Sequence, residues 1–215
     1  YDLSNLETGD VVLFSSNDGF VSKLIQWYTG SKWTHVGIVL KDPYYISKKL
    51  KGYYLLESGY NDFRNIEHRY TYGVQISNLY KKIDTYPGLV KYRKINKPVE
   101  NKKYIIKDIY HSIRDRPYDL SIYDFLCLKK NIQLKTNQYN IFYSYLKNIF
   151  DNHRKINTFI CSSLVGYVYE EFNLLPKDTN WSECEPVTFS DDNKENKKLF
   201  SFLGCEQMIK DNKSN

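Results

Sequence analysis

Three residues stand out for the chemistry their types and settings allow: Cys161, His35 and Glu57. Cys161 lies in Asn157-Thr158-Phe159-Ile160-Cys161-Ser162-Ser163, where an apolar series of Ile160, Leu164, Val165, Val168 and Phe172 begins. That series has the spacing of one helix face. Asn157 or Thr158 is expected to cap the helix, which places Cys161 in its first turn. Amides there lack intrahelical partners and sit at the positive end of the helix dipole, so they favour an anion. A thiolate is such an anion, and the same amides suit the oxyanion of an attacked carbonyl. Cys127, Cys184 and Cys205 lack this context and read as core or incidental thiols.

A thiol nucleophile needs a base. His35 opens Thr34-His35-Val36-Gly37-Ile38-Val39-Leu40, a strand by its β-branched content, and a strand can aim the ring. His68, His111 and His153 lie in polar or loop-like segments. Gly37 falls on the His35 face and is expected to leave room for a helix or substrate. A third group should orient the imidazole, and Glu57 is the candidate. It stands in Leu55-Leu56-Glu57-Ser58, an apolar strand where a carboxylate needs a partner. From a neighbouring strand it would reach the His35 ring and fix the tautomer. The structural alternatives are an edge-strand carboxylate in water or one paired with a lysine. Asp119, in Arg116-Pro117-Tyr118-Asp119, is a second candidate but reads more as a turn or cap residue.

The elements that must position these groups can be read along the chain. Val11 to Phe14 is a short buried strand after the Gly9-Asp10 turn. A helix capped by Ser16 or Asn17 runs through Phe20, Leu24, Ile25 and Tyr28 and stops at Gly30-Ser31. Strands follow at Thr34 to Leu40, at Tyr53 to Ser58 (closed by Gly59), at Val74 to Ile76 and at Leu89 to Arg93. An antiparallel meander is the economical arrangement. Tyr104, Ile105, Ile109 and Ile113 mark a helix ending near Arg116-Pro117, and Asp124–Leu128 and Ile141–Phe150 read as further helices. The chain is expected to form a single α+β domain over 1–215, with a helical insertion around 119–157 and a frayed C-terminus after about residue 208.

Composition bounds the function. The chain has 215 residues with 41% hydrophobic content, which is globular and large enough for a core without disulfide staples. The net charge of +6 comes from dispersed lysines, among them Lys48-Lys49, Lys81-Lys82 and Lys102-Lys103, read as solvated surface. The sharper reading is attraction to an anionic membrane surface. No zinc-finger spacing or RNA-binding signature is present, so no nucleic-acid partner is expected. The four cysteines form no C-x-x-C pair, which argues against a metal knuckle and fits a reducing intracellular compartment. No apolar run approaches the roughly 20 residues of a spanning helix, and no signal-peptide core opens the chain.

Thr34-His35-Val36-Gly37-Ile38-Val39, Leu56-Glu57-Ser58 and Phe159-Ile160-Cys161-Ser162-Ser163-Leu164-Val165, in that order, resemble the circularly permuted NlpC/P60 superfamily. The likeness is to its YiiX/YebB-like branch, which includes poxviral and other large-virus members. Thr8 to Phe14, Arg116 to Asp119 and Trp181 to Phe189 also resemble that branch. In ordinary papain-like enzymes Cys precedes His; here His35 and Glu57 come first, as in the permuted order. The resemblance implies a papain-like fold, with the Cys helix packed on an antiparallel sheet that carries His and the third residue. It implies a Cys161-His35-Glu57 triad acting without cofactor or metal on a peptide, amide-linked or lipid-ester substrate. It also implies a cytoplasmic or virion setting. The alternatives are a lipid acyltransferase or esterase on the same triad, and a binding or virion-structural module without turnover.

Overall fold

The computed structural model describes residues 1–18, 20–118, 158–193 and 197–211. The expected insertion around 119–157 lies outside the described residues, as do Asp119, Cys127, His153 and Asn157.

The described residues form a mixed α/β structure around a six-stranded antiparallel sheet. Its strands are β1 (Val11–Ser15), β2 (His35–Lys41), β3 (Tyr53–Tyr60), β4 (Tyr72–Asn78), β5 (Leu89–Arg93) and β6 (Gln207–Lys210). They lie in the order β4-β3-β2-β1-β5-β6. The first four make the expected meander, but β5 departs from it by pairing with the far side of β1. The reason is β1 itself. Val11, Val12, Leu13 and Phe14 are all buried, so both edges of that strand need hydrogen-bond partners.

Both faces of the sheet are covered, which explains why β1 and β2 read as nearly continuous apolar runs. On one face Val11, Leu13, Val36, Ile38, Leu40 and Leu56 pack with α3 (Lys102–Ile113) and α4 (Cys161–Glu171). Leu164, Val165 and Val168 supply the α4 side of that core, and Ile106, Ile109, Tyr110 and Ile113 the α3 side. On the other face Val12, Phe14, Val39 and Leu55 meet Leu3, Leu6 and α2 (Leu79–Thr85). Asn78 caps α2 by accepting from the Lys81 amide at 2.9 Å. This helix carries the chain from β4 towards β5 over the face that bears His35 and Glu57. Helix α1 (Phe20–Thr29) ends at Gly30, whose φ of +61° is the left-handed stop that glycine favours.

Residues 209 and 210, expected to begin a frayed C-terminus, instead lie in a strand, while residues 212–215 lie outside the described residues. Gln207, Met208 and Lys210 pair with Tyr92, Lys91 and Val90 as edge strand β6. The Lys210 ammonium then donates to the carbonyls of Ile83 at 2.9 Å and Tyr86 at 2.8 Å. A cation at the C-terminal end of α2 satisfies acceptors that a helix end leaves open. Among the described residues, no helix is long and apolar enough to cross a membrane.

Candidate active site

The structure brings His35, Glu57 and Cys161 together. His35 is the first residue of β2 and Glu57 lies in β3, which pairs with it. The pairing sets Ile38 against Leu56 and Val39 against Leu55. Continued in register, it sets Glu57 opposite Gly37 and Gly59 opposite His35. All four therefore share the sheet face that α2 covers. His35 Nε2 and Glu57 Oε2 are 2.6 Å apart. That leaves Nδ1 as the ring nitrogen open to the Cys161 side chain, which lies close enough to influence the ring's titration.

Cys161 is the first residue of α4, and its N-cap is Ile160, in extended backbone, rather than Asn157 or Thr158. Isoleucine has no side-chain acceptor. Ser163 takes over part of the capping role, accepting from the Ile160 amide at 3.0 Å. The first intrahelical bond runs from the Leu164 amide to the Ile160 carbonyl at 3.1 Å. The Cys161, Ser162 and Ser163 amides thus precede the helical ladder. The segment leading into α4 is pinned to the sheet: buried Ser58 Oγ donates to the Phe159 carbonyl at 2.6 Å.

Two glycines divide the work expected of one. A Cβ on Gly37 would come 2.8 Å from Leu55 Cγ, so the space beside Gly37 is filled by that leucine and not by a helix or substrate. Room for the imidazole comes from Gly59, where a Cβ would lie 3.2 Å from His35 Cε1. Gly59 does not close β3, which runs on to Tyr60.

Glu57 is fully buried, and every acceptor direction of its carboxylate is used. Oε1 accepts from Asn61 Nδ2 at 2.7 Å and from Ser77 Oγ at 2.6 Å. Oε2 faces His35 Nε2 and, at 3.0 Å, the Lys82 ammonium. Lys82 Nζ also donates to Asn61 Oδ1 at 2.5 Å. Burial alone would push the Glu57 carboxyl up. The Lys82 charge and the hydrogen bonds from His35 and Ser77 outweigh it and hold the group well below the ordinary carboxylate range. For His35, burial and Lys82 favour the neutral ring. The interactions with Cys161 and Glu57 prevail and raise its pKa above the ordinary value.

Lys82 corrects the reading of Lys81-Lys82 as solvated surface: Lys82 is buried. Its signal was local. Leu79, Lys82 and Ile83 fall at the i, i+3, i+4 spacing of the buried face of α2. Of the other candidates, His68 is a left-handed turn residue and His111 lies in the last turn of α3. Cys184 is buried against α4, where burial pushes its thiol up to about 12, and Cys205 is exposed. Among the described residues, no group of three or more His, Cys, Asp or Glu side chains is placed to hold a metal ion.

No family model and no curated protein matches the chain. Solved structures that match it include the metalloprotein YiiX from Escherichia coli O157:H7, with a TM-score of 0.45 and 17% identity. The match covers 76% of this chain and 64% of that one, so this chain spans under two thirds of that protein.

Proposed function

We propose that this chain is a thiol hydrolase of the permuted papain-like kind, acting on an amide, isopeptide or ester carbonyl. The observation that carries the reading is the convergence of Cys161, His35 and Glu57, with buried Glu57 hydrogen-bonded to the His35 ring and the Cys161 side chain beside that ring. His35 Nδ1 takes the Cys161 proton, and the thiolate sulfur bonds to the carbonyl carbon. The amides at the start of α4 suit the oxyanion that forms. As the tetrahedral species collapses, the carbon–leaving-group bond breaks and His35 returns the proton to the leaving nitrogen or oxygen. Water, deprotonated by His35, then cleaves the thioester and regenerates the thiol. Glu57 keeps the ring in the tautomer and orientation that both transfers need.

A second reading, acyl transfer from a lipid ester, draws on an aromatic run beside the thiol. Tyr60, Tyr70 and Tyr72 are exposed, Tyr72 stacks on Tyr118 at 4.9 Å, and Tyr118 bridges to Phe159, two residues before Cys161.

Labelling with iodoacetamide at mildly acidic pH, read residue by residue, tests the site. Cys161 is expected to react at least about tenfold faster than exposed Cys205, and to lose that advantage in His35→Ala. Equal rates would sink the hydrolase reading. If the advantage holds, comparing acyl esters with peptide amides as substrates separates the two chemistries.

A further inference from the structure

We propose that Lys82 is a positioning residue of this site: by sharing Glu57 Oε2 with His35, it keeps the carboxylate ionised and aimed while weakening its hold on the imidazole proton. The inference rests on reading the site as a thiol–imidazole pair.

A buried lysine is costly unless its charge is matched. A lysine serving only as a structural counter-ion would be as well served by either carboxylate oxygen. Here Oε1 is taken by Asn61 and Ser77, and Lys82 stands on Oε2, the oxygen that faces His35. The ammonium is fixed from a second side by Asn61 Oδ1 and faces the Phe14 ring at 5.9 Å. The ammonium and the ring nitrogen meet one oxygen, so they are held within about 6 Å of each other, a range in which a charge shifts the ring's titration.

The groups facing the imidazole come from every element around it. Glu57 lies on β3, Lys82 on α2 and Cys161 on α4. The Tyr86 hydroxyl, beyond α2, stays protonated because burial pushes it up to about 12; it reaches Thr34 Oγ at 2.7 Å. Of these, only Lys82 opposes protonation of the ring by its charge. Without it, an undiluted carboxylate would hold the imidazolium too firmly. His35 would still accept the thiol proton but would return it poorly to the leaving group. With Lys82 in place, the Cys161, His35, Glu57 and Lys82 charges balance, and the proton can move both ways.

The test follows the His35 ring by NMR through a pH titration of the full chain carrying Cys161→Ala, so the result does not depend on whether the thiol reacts. Adding Lys82→Met is expected to raise the His35 pKa by about one unit, a tenfold gain in proton affinity. Lys82→Arg, which keeps the charge, is expected to restore the parent titration. If Lys82→Met does not fold, Lys82→Gln is titrated in its place with the same expectation. A role confined to holding α2 would lower the melting temperature and leave the ring's titration unmoved; that result, or a fall in the pKa, overturns the proposal. Failure of the hydrolase reading shows separately, as slow Cys161 labelling in the chain that keeps its thiol.

Discussion

Gly59 lies opposite His35, and a methyl group there would stand 3.2 Å from the ring's Cε1. Gly59 is extended and is not among the glycines with positive φ, so its backbone accepts alanine. The substitution therefore acts on the ring rather than on the strand. Gly59→Ala is expected to slow Cys161 labelling about tenfold or more, because small displacements of a reacting group are costly. Circular dichroism should be unchanged. An unaltered labelling rate would mean that β3 does not fix the imidazole.

Glu57→Gln tests the buried charge directly. The amide is nearly the same size, but it leaves Lys82 without its countercharge in a closed site. The expected loss of stability is about 3–5 kcal/mol, measured by urea denaturation. A loss below about 1 kcal/mol would class the pair with exposed ion pairs, whose net value is small.

The same groups give stability a pH profile. The Glu57 carboxyl lies below its ordinary value of 4.5 in the folded chain, so its contribution is complete above 4.5 and fades as pH falls. His35 lies above its ordinary 6.5, so its contribution is complete below 6.5 and fades as pH rises through the folded value. Their joint contribution should be flat between about 4.5 and 6.5 and fall on either side. Unfolding midpoints taken across pH, compared with those of a Glu57→Gln, His35→Gln chain, isolate it. A difference that does not vary with pH would refute the assignment.

Lys210→Met removes the cation from the end of α2. The expected cost is about 0.5–1 kcal/mol, with faster amide exchange in the last turn of α2. Unchanged exchange at Lys82 to Tyr86 would show that β6 does not brace the helix.

Much of this is legible in the sequence. The β-branched density of β1, β2 and β3 marks strands, and His35 and Glu57 stand out by type within them. What the sequence hides rests partly on a weak local signal and partly on facts that are not local. Lys82 was hidden because lysine usually signals solvent, and only its place on the Leu79, Ile83 face argues otherwise. The roles of Gly37 and Gly59 depend on strand register, which fixes that Leu55 fills one vacancy and His35 the other. Strand β6 is short and polar, and its partner β5 lies more than a hundred residues earlier. The N-cap at Ile160 departs from expectation because Ser163, three residues on, bonds back to the Ile160 amide and carbonyl and closes the first turn without an Asn or Thr side chain. The insertion around 119–157 falls outside the described residues.

The hydrogen bond from Ser58 to Phe159 joins segments 101 residues apart. Chains are made from the N-terminus, so β2 and β3 leave the ribosome long before α4 exists. A nascent chain that ends between Glu57 and Cys161 carries His35 and Glu57 but not Cys161. The proposed thiol–imidazole pair thus comes together only when α4 docks late on the sheet, and products that end before Cys161 are born without it.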